Sequence, residues 1–427
     1  MQTPTTYSLA LASVSDEQCL VGEAFWDLTK SFEQFCLMAG IESLTQMMNE
    51  DVVRLAGDRY EHCPDKPGYR WGHTQSHAGF HGGKIKGKRP RVRSKATDQE
   101  MALPSWEEIS AGGYLDQWAM NLMVMNMATR KFGRAVRLAE TGVPCEAGSG
   151  LSKSAVSRRF KALTQAKLDE WMACDLSGLD LVAIQIDGLH LDEHLLMIGA
   201  VGIEVSGHKH PLGIVEGATE NAATVQALLD NLIDRGLDAN GCYLFIVDGA
   251  KALSKALRRT FGADIPIQRC QVHKGRNITD RLAPKHHAAV RRTLKQAWEM
   301  DDAEKAERLI RNLALRFQQD APDVSRSILE GLDETLTVVR LGLPLELRRS
   351  LASTNIIESM NSVIRQVCRN VKRWRDAKMA LRWTAAGMFE AKKGFRRLKA
   401  YKKLPILKQA LIAHRQSSPL DQIKDAA

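Results

Sequence analysis

The stretch Leu181-Val-Ala-Ile-Gln-Ile-Asp-Gly188 decides the fold, because a short run of mostly apolar residues ends there in a carboxylate and a glycine. Such a run, bounded by a turn signal, predicts a buried strand. Tyr243-Leu-Phe-Ile-Val-Asp-Gly249 repeats the arrangement. Two carboxylates at the ends of neighbouring strands can hold hard cations through oxygen ligands. Asp-Gly is also a common turn dipeptide, so each aspartate taken alone has an ordinary structural explanation.

Around these two stretches the apolar pattern has a period of two or is continuous, which predicts strands. The strands are expected at Leu179–Ile186, Leu195–Val205, Pro211–Val215 and Tyr243–Val247, with an amphipathic helix at Thr224–Leu237. Short links predict hairpins, and strand–helix–strand predicts a parallel crossover. This order fits the mixed sheet of a ribonuclease-H-like α/β fold. Residues from about 276 to 350 are helical and charged in pattern, as an all-helical insertion into that core would be.

The N-terminal third has mostly helical periodicity, at residues 31–60, 114–130 and 133–140. Between the first two helices, Lys84–Arg93 predicts a short, basic, extended arm, since Pro90 disfavours a central strand and Gly87 weakens a helix. Residues 142–150, rich in glycine, predict a loop.

A helix that begins after Ser152 has two unlike faces. Val156 and Phe160 form its apolar face, while the other face carries Lys153, Ser154, Ser157, Arg158 and Arg159. A short helix followed by one with this polar face is typical of a helix-turn-helix DNA reader. The alternative is a surface helix without a special role, and the long loop before it leaves that alternative open.

Composition and charge bound the class of protein. The chain has 427 residues, 44% of them apolar, and a formal charge of +10, which indicates a folded protein of two or three domains. Seven basic residues and no acid lie within 84–95, and fourteen basic residues against two acids lie within 360–403. One such run is often a solvated face. Two distant runs of one sign favour a polyanionic partner.

The eight scattered cysteines form no disulfide framework, and the first basic residue is Lys30, which leaves no charged start for a signal peptide. With no apolar run near 18 residues, we expect no membrane segment and a cytoplasmic protein.

Glu358 lies in a predicted helix, Ser353-Thr-Asn-Ile-Ile-Glu-Ser-Met-Asn361 and onward. One interpretation is a capping-box glutamate three residues after Asn355. However, Asn361, Arg365 and Arg369 follow Glu358 along one edge of the helix. Such an edge could hold a metal at one end and a phosphodiester strand along its length. Two metals held by Asp187 as the bridging ligand, with Asp248 and Glu358 completing the shells, would serve phosphodiester cleavage.

Four ordered blocks resemble the mutator-type family of bacterial insertion-sequence transposases. They are Ile186-Asp-Gly188, Ile246-Val-Asp-Gly-Ala-Lys-Ala-Leu253, Gln268-Arg-Cys-Gln-Val-His-Lys-Gly-Arg-Asn277 and Ser353-Thr-Asn-Ile-Ile-Glu-Ser-Met-Asn361. The resemblance runs from about 130 to 405. It implies an α/β mixed-sheet, ribonuclease-H-like catalytic core interrupted by an all-helical insertion between Asp248 and Glu358, with a mostly helical N-terminal DNA-binding region.

The resemblance also implies the activity and the partners. They are metal-dependent DNA cleavage and strand transfer, with Asp187, Asp248 and Glu358 as catalytic metal ligands for Mg²⁺, which Mn²⁺ could replace. The DNA partners would be the element's terminal inverted repeats and the target, bound by a homodimer on paired ends in the nucleoid. We expect DNA contacts from Lys153, Ser154, Arg158 and Arg159, from Lys86, Lys88 and Arg91, and from Arg365 and Arg369.

Six segments follow from this interpretation. They are an N-terminal helical region with the basic arm (1–110), a helix-turn-helix-like domain (111–177), the first part of the core (178–275), the insertion (276–350), the last core helices (351–390) and a basic C-terminal tail (391–427).

Cys270 and His273 match the Cys-x-x-His signature of the family, and with Asn361 they are expected to support the active site. Alone they could be half of a zinc site. No second half is visible, since His286 and His287 are adjacent and lack a cysteine. Two other functions stay open: a DNA-binding module without catalysis, and a metal nuclease that hydrolyses DNA but never joins strands.

Overall fold

A computed structural model of the chain describes residues 39–61, 63–80, 83–110, 120–125, 145–146, 153–217 and 221–417. The chain divides into two compact units, Met1–Leu163 and Thr164–Ala427, which we call the N-terminal and C-terminal units.

The N-terminal unit combines helices with a four-stranded sheet. Its elements are α1 (39–56), β1 (Gly68–Phe80), β2 (Gly83–Ser94), β3 (Glu100–Met101), α2 (Pro104–Ser110), β4 (Cys145–Glu146) and α3 (Lys153–Met172), which contains the boundary to the second unit. Val52 of α1, Val92 of β2 and Leu103, which directly precedes α2, are buried in one apolar cluster. The helix predicted at 31–60 is confirmed over residues 39–56.

The structure corrects the prediction of a basic arm, because Lys84–Arg93 belongs to a paired strand. β2 pairs with β1 along most of its length, with Pro90 opposite His73. On its other side β2 pairs with β3 only at Val92 and Arg93, and with β4 only at Lys84 and Ile85. Pro90 lies between these two short pairings, on a stretch where β2 has a partner strand on one side only, as is usual for proline in a sheet.

Part of the predicted 142–150 loop is also a strand, since Cys145 and Glu146 pair with the open edge of β2. The predicted helix 133–140 lies outside the described residues, and of 114–130 only residues 120–125 are described, helical over 120–124. The helix predicted from Ser152 is confirmed as α3, and its apolar residues Val156 and Phe160 are buried.

The C-terminal unit is built on a mixed five-stranded sheet of order β7-β6-β5-β8-β9. The strands are β5 (Leu181–Asp192), β6 (Leu195–Glu204), β7 (Lys209–Gly217), β8 (Leu244–Val247) and β9 (Ile267–Arg269). β5, β6 and β7 form an antiparallel meander, while β8 and β9 run parallel to β5. The four predicted strands are confirmed. β9 was missed, because three buried residues are too few to show a period.

Helices cover both faces of this sheet. On one face α4 (Ala222–Asp234) and α5 (Lys251–Phe261) pack their leucines against Ile184, Ile186 and Phe245. On the other face Ala183, Leu244 and Ile246 contact a large helical cluster. That cluster draws on α6 (Gln271–Thr279), α7 (Pro284–Glu299), α8 (Ala303–Arg316), α9 (Pro322–Leu329), α10 (Leu332–Thr335), α11 (Thr337–Arg340), α12 (Leu345–Leu351) and α15 (Leu404–Gln416). The prediction of helices between 276 and 350 is confirmed.

Two further helices, α13 (Asn355–Cys368) and α14 (Ala377–Lys393), pack on the meander. A Cβ at Gly199 of β6 would lie in ordinary van der Waals contact with Met360 and Ile357, which shows that α13 packs directly over this part of the sheet. Within the range predicted as a basic tail, α15 buries Leu404, Leu407 and Leu411 in the core.

Candidate active site at the acidic edge of the C-terminal sheet

Asp187 lies on β5, and Asp248 directly follows the adjacent strand β8. The last parallel pair between β5 and β8 is Ile186 with Val247, and each aspartate is the next residue on its strand. Neighbouring strands lie about 5 Å apart, so the register brings the backbones of the two acidic residues to one edge.

The two aspartates sit in different local structures, which corrects the expectation that both end a strand. β5 continues through Gly188 to Asp192 as a hairpin with β6, and Asp187 itself pairs with Gly199. Asp187 is therefore held in a rigid ladder and is only 9% exposed. β8 does end at Val247. The following turn places Gly249 at a φ of +105°, and the Asp248 carboxylate accepts a hydrogen bond from the Ala250 N–H at 2.9 Å.

Glu358 lies in the first turn of α13, which begins after the N-cap Thr354. The Thr354 hydroxyl donates to Glu358 Oε1 at 2.9 Å, and it makes no capping bond to the backbone. The capping-box interpretation is therefore wrong, since Glu358 is bound by a side-chain hydroxyl. Thr354 was missed as a site residue, because a threonine before a helix normally acts only as a cap.

Asn361 connects α13 to the sheet. Its Nδ2 donates to Asp187 Oδ2 at 3.1 Å, and Asn361 is only 4% exposed. The predicted edge of Glu358, Asn361, Arg365 and Arg369 thus divides in two. Asn361 faces the sheet, while Arg365 and Arg369 are exposed further along the helix.

Cys270 and His273 reach the same edge from β9 and α6. Cys270 follows β9 directly, and its N–H donates to Val247 O at 2.7 Å, one residue before Asp248. Cys270 is fully buried. His273 lies one turn into α6, and its Nε2 is 3.8 Å from Glu358 Oε1. The structure therefore brings together Asp187, Asp248, Glu358, Cys270, His273 and Asn361 from five elements.

The charges at this edge balance each other in part. Contact with the Cys270 side chain is the largest influence that raises the pKa of His273 to about 9, and Glu358 and Asp187 add to it. Burial favours the neutral Cys270 thiol, but the neighbouring polar groups of His273 and then Thr354 outweigh it and lower the pKa of Cys270. A positive imidazolium thus lies beside the carboxylates at neutral pH.

Cys270, His273 and Glu358 have ligand atoms that all lie within 4.8 Å of one another. The carboxylates of Asp187, Asp248 and Glu358 belong to neighbouring elements at this edge, and oxygen ligands of this kind are the ones that a hard cation such as Mg²⁺ prefers. The sequence showed no partner for the Cys-His pair, because Glu358 lies far along the chain and is brought there only by folding.

Arg269, which no sequence pattern marks as a site residue, lies at the end of β9 next to Cys270. It is only 6% exposed, and its Nη1 donates to Glu330 O at 3.2 Å. A Cβ at Gly249 would lie 2.0 Å from its Nε, so the residue after Asp248 must be glycine for Arg269 to pass. The Asp-Gly pair therefore also serves packing.

The predicted DNA contacts of the N-terminal unit are partly exposed. Lys88, Ser154 and Arg158 are exposed, while Arg159 is half-buried. Arg91 donates from Nε and Nη2 to Glu100 at 2.9 and 2.7 Å, so its charge is already paired. The side chains of Lys86 and Lys153 lie outside the described part of the structure.

This fold and site define a protein whose C-terminal unit is an α/β domain with acidic residues at one edge of its sheet. The chain belongs to the Mutator family of transposases, whose family description matches residues 36–397. DNA is therefore its partner.

Several transposases of bacterial insertion sequences are similar to this chain. That of element IS6120 from Mycolicibacterium smegmatis is 31% identical over 51% of this chain and 67% of its own length. That of element ISRM5 from Rhizobium meliloti (strain 1021) is 26% identical over 76% of this chain and 78% of its own length. That of element IS256 in transposon Tn4001 from Staphylococcus aureus is 27% identical over 58% of this chain and 62% of its own length.

Among the residues that the structure describes, no helix combines the length and apolar character needed to cross a membrane.

Proposed function

We propose that this protein is an insertion-sequence transposase that cleaves and transfers DNA strands with Mg²⁺ ions held by Asp187, Asp248 and Glu358. The observation that carries the proposal is the hydrogen bond from Asn361 to Asp187. It docks the helix that bears Glu358 against the edge where β5 and β8 present their aspartates, so carboxylates distant in sequence converge.

Each side chain has a definite task in this proposal. Asp187, which is fixed in the ladder between β5 and β6, would hold the ions together with Asp248 and Glu358. When bound, the ions activate the attacking water or 3′-hydroxyl and neutralise charge that builds on the phosphate. Thr354 and Asn361 orient two of the ligands, and the His273 imidazolium compensates their charge while no ion is bound. Mn²⁺ would substitute for Mg²⁺, since both accept oxygen ligands.

The architecture supports the same proposal. A three-stranded meander followed by two parallel strands matches the order expected of a ribonuclease-H-like core. The helices α7 to α12 fall between Asp248 and Glu358 in sequence, as an insertion into that core would.

DNA would meet the protein at several surfaces. Arg365 and Arg369 are exposed on the helix that carries Glu358, where they could contact phosphates near the scissile bond. In the N-terminal unit, Lys153, Ser154, Arg158 and Arg159 would read the terminal inverted repeats, while Lys86, Lys88 and Arg91 contact backbone. A homodimer on paired ends would bring two such sites together.

Incubation with the DNA that flanks the protein's own gene tests the proposal. We expect Mg²⁺-dependent nicks at the element ends, followed by joining of the new 3′ ends to target DNA, both mapped by sequencing the products. Nicks without joined products would favour a hydrolytic nuclease. Binding without nicks, in Mg²⁺ or Mn²⁺, would favour a DNA-binding module and contradict the proposed chemistry.

A further inference from the structure

Two glutamines are fully buried in the C-terminal sheet, Gln185 on β5 and Gln268 on β9. A buried amide is costly unless hydrogen bonds satisfy its donors and its acceptor. Both amides are satisfied by backbone groups of helical segments that lie far along the chain. Each glutamine therefore links a strand to a helical segment packed on the sheet.

Gln185 binds the start of α13. Its Nε2 donates to Ser353 O at 3.0 Å, and its Oε1 accepts from the Ile357 N–H at 3.2 Å. These two backbone groups are four residues apart, which is the spacing of a helical hydrogen bond. The Ile357 N–H is one of the first N–H groups of the helix, which have no partner within it. The Gln185 amide thus bridges two backbone groups that would bond to each other if the helix began one turn earlier.

The Thr354 side chain consequently has a different hydrogen-bond partner from that of an ordinary N-cap residue. An N-cap side chain normally accepts from an N–H group of the first turn. Gln185 already satisfies the Ile357 N–H, and the Thr354 hydroxyl instead donates to Glu358 Oε1. The strand residue therefore caps the helix, while the cap residue orients the carboxylate.

Gln185 and Asp187 are two residues apart, so their side chains lie on the same side of β5. α13 is consequently fixed to this strand twice, by Gln185 before Glu358 and by the Asn361–Asp187 bond after it. A slip of one residue along the helix moves a side chain by about 1.5 Å and turns it by roughly 100°. The two contacts therefore restrain the helix at two points along its axis, in addition to the packing of its apolar face on the meander.

We propose that Gln185 is a positioning residue that sets the separation between Glu358 and Asp187, and with it the affinity and geometry of the metal site. The proposal rests on the proposed metal-binding role of these two carboxylates. Gln185 itself touches neither carboxylate in this assignment and acts only through the backbone of α13.

Gln268 offers a matched control. It is equally buried, its Nε2 donates to Thr335 O at 3.1 Å, and its Oε1 accepts from the Val338 N–H at 3.0 Å. It joins β9 to α10 and α11, which carry none of the three carboxylates. Loss of either amide therefore removes the same kind of link between strand and helix, but only one link bears on Glu358.

The experiment compares Gln185→Met with Gln268→Met in the full-length protein. Mn²⁺ binding without DNA is measured by electron paramagnetic resonance, together with nicking of end DNA in Mg²⁺ and the melting temperature. Both variants should melt at a lower temperature. We expect Gln185→Met to weaken Mn²⁺ binding and lower kcat by about tenfold or more, since a displacement of about 1 Å can cost a hundredfold. Gln268→Met should change both by less than about threefold, and DNA affinity should hold in both, because phosphate contacts dominate it.

Gln185→Asn keeps an uncharged amide but is one methylene shorter, so it cannot reach both Ser353 O and the Ile357 N–H. Because it buries no charge and retains polar hydrogen-bonding groups, it serves as a second variant, and it should show the same selective loss of Mn²⁺ affinity. Equal losses for the Gln185 and Gln268 variants would overturn the inference. An Asp187→Asn protein that still binds Mn²⁺ and nicks DNA would instead contradict the proposed function, so the two failures are distinguishable.

Discussion

The three acidic residues are each held by a different neighbour: Asp187 by Asn361, Asp248 by its own turn, and Glu358 by Thr354. Carboxylates fixed in this way lose little conformational freedom when they bind a cation. We expect removal of any one of them to affect DNA cleavage more than folding.

Asp187→Asn, Asp248→Asn and Glu358→Gln should each lower the nicking rate by at least about a thousandfold, as expected when a metal ligand is removed. DNA affinity should change little, because phosphate contacts carry most of the binding. A gel assay of nicking and a binding titration measure the two quantities. Asp192→Asn, at an exposed acid on the same strand, is the control and should nick normally. Near-normal cleavage by any of the three variants would remove that residue from the site.

Cys270 should hold no zinc in the purified protein. It offers one sulfur ligand and His273 one imidazole, and among the described residues Glu358 is the one further ligand grouped with them. Structural zinc sites take four protein ligands. Plasma mass spectrometry should therefore find equal metal in wild type and Cys270→Ser. Stoichiometric zinc in the wild type that disappears in the variant would contradict this.

At the scale of elements, α13 and α14 pack closely at Gly387. A Cβ there would lie 2.8 Å from Ile364 Cα, a backbone atom that cannot move aside alone. Gly387→Ala should therefore lower the free energy of unfolding by about 1–3 kcal/mol, as overpacked cores do. Chemical denaturation measures it.

Gly275→Ala in α6 is the matched control for Gly387→Ala. Its new Cβ would meet only Trp298, at 4.0 Å, so helix propensity should raise stability by up to about 1 kcal/mol. Equal effects of the two substitutions would show that the close contact between α13 and α14 has no energetic weight.

Lys274 joins α6 to the end of α9, because its buried ammonium donates to Ser327 O and Glu330 O. Burial is the main cause that lowers the pKa of Lys274 to about 8, from an ordinary value of 10.5. Between these values the unfolded chain binds more protons than the folded one, so stability due to Lys274 rises with pH.

The free energy of unfolding of the wild type, relative to that of Lys274→Met, should therefore increase from pH 8 to pH 10, by at most about 1.4 kcal/mol per pH unit. Urea denaturation at several pH values measures it, with Lys295→Met, at an exposed lysine, as the control. A difference that stays constant over this range would show that the Lys274 pKa is not lowered.

At the scale of the whole molecule, substitutions should distinguish the residues that recognise the DNA sequence from those that bind the DNA backbone. Replacement of Lys153, Arg158 and Arg159 by alanine should erase the preference for element ends, since a bidentate Arg–guanine contact discriminates by about 1–3 kcal/mol. Replacement of Lys86, Lys88 and Arg91 should weaken binding to all DNA and reduce the slope of its salt dependence by up to about 0.9 for each phosphate that the variant no longer binds.

Titration of end DNA and random DNA at several salt concentrations separates the two classes. Arg91 should contribute less than Lys88, because Glu100 already pairs with it. Equal weakening on both DNAs for the Lys153, Arg158 and Arg159 variant would make that helix a phosphate-binding element, and the determinants of specificity would lie elsewhere in the N-terminal unit.

The sequence by itself determined the strands of the C-terminal sheet, the helices that follow it and the family. Periodicity and apolar runs are local properties of the sequence. Leu181–Ile186 and Tyr243–Val247 therefore predict buried strands without any knowledge of what packs against them. The carboxylates that follow these strands were predicted from the same local pattern. β9 was not predicted, since a strand of three residues is too short to show a periodic pattern.

Only the tertiary structure decided how these pieces meet. Whether β5 stops at Asp187 depends on its pairing with β6, and whether Pro90 is tolerated depends on which side of β2 is paired. Asp187 and the Ile357 N–H are bound by side chains distant in sequence, Asn361 and Gln185. Hydrogen bonds between such residues follow from the packing of α13 on the sheet, and no local pattern encodes that packing.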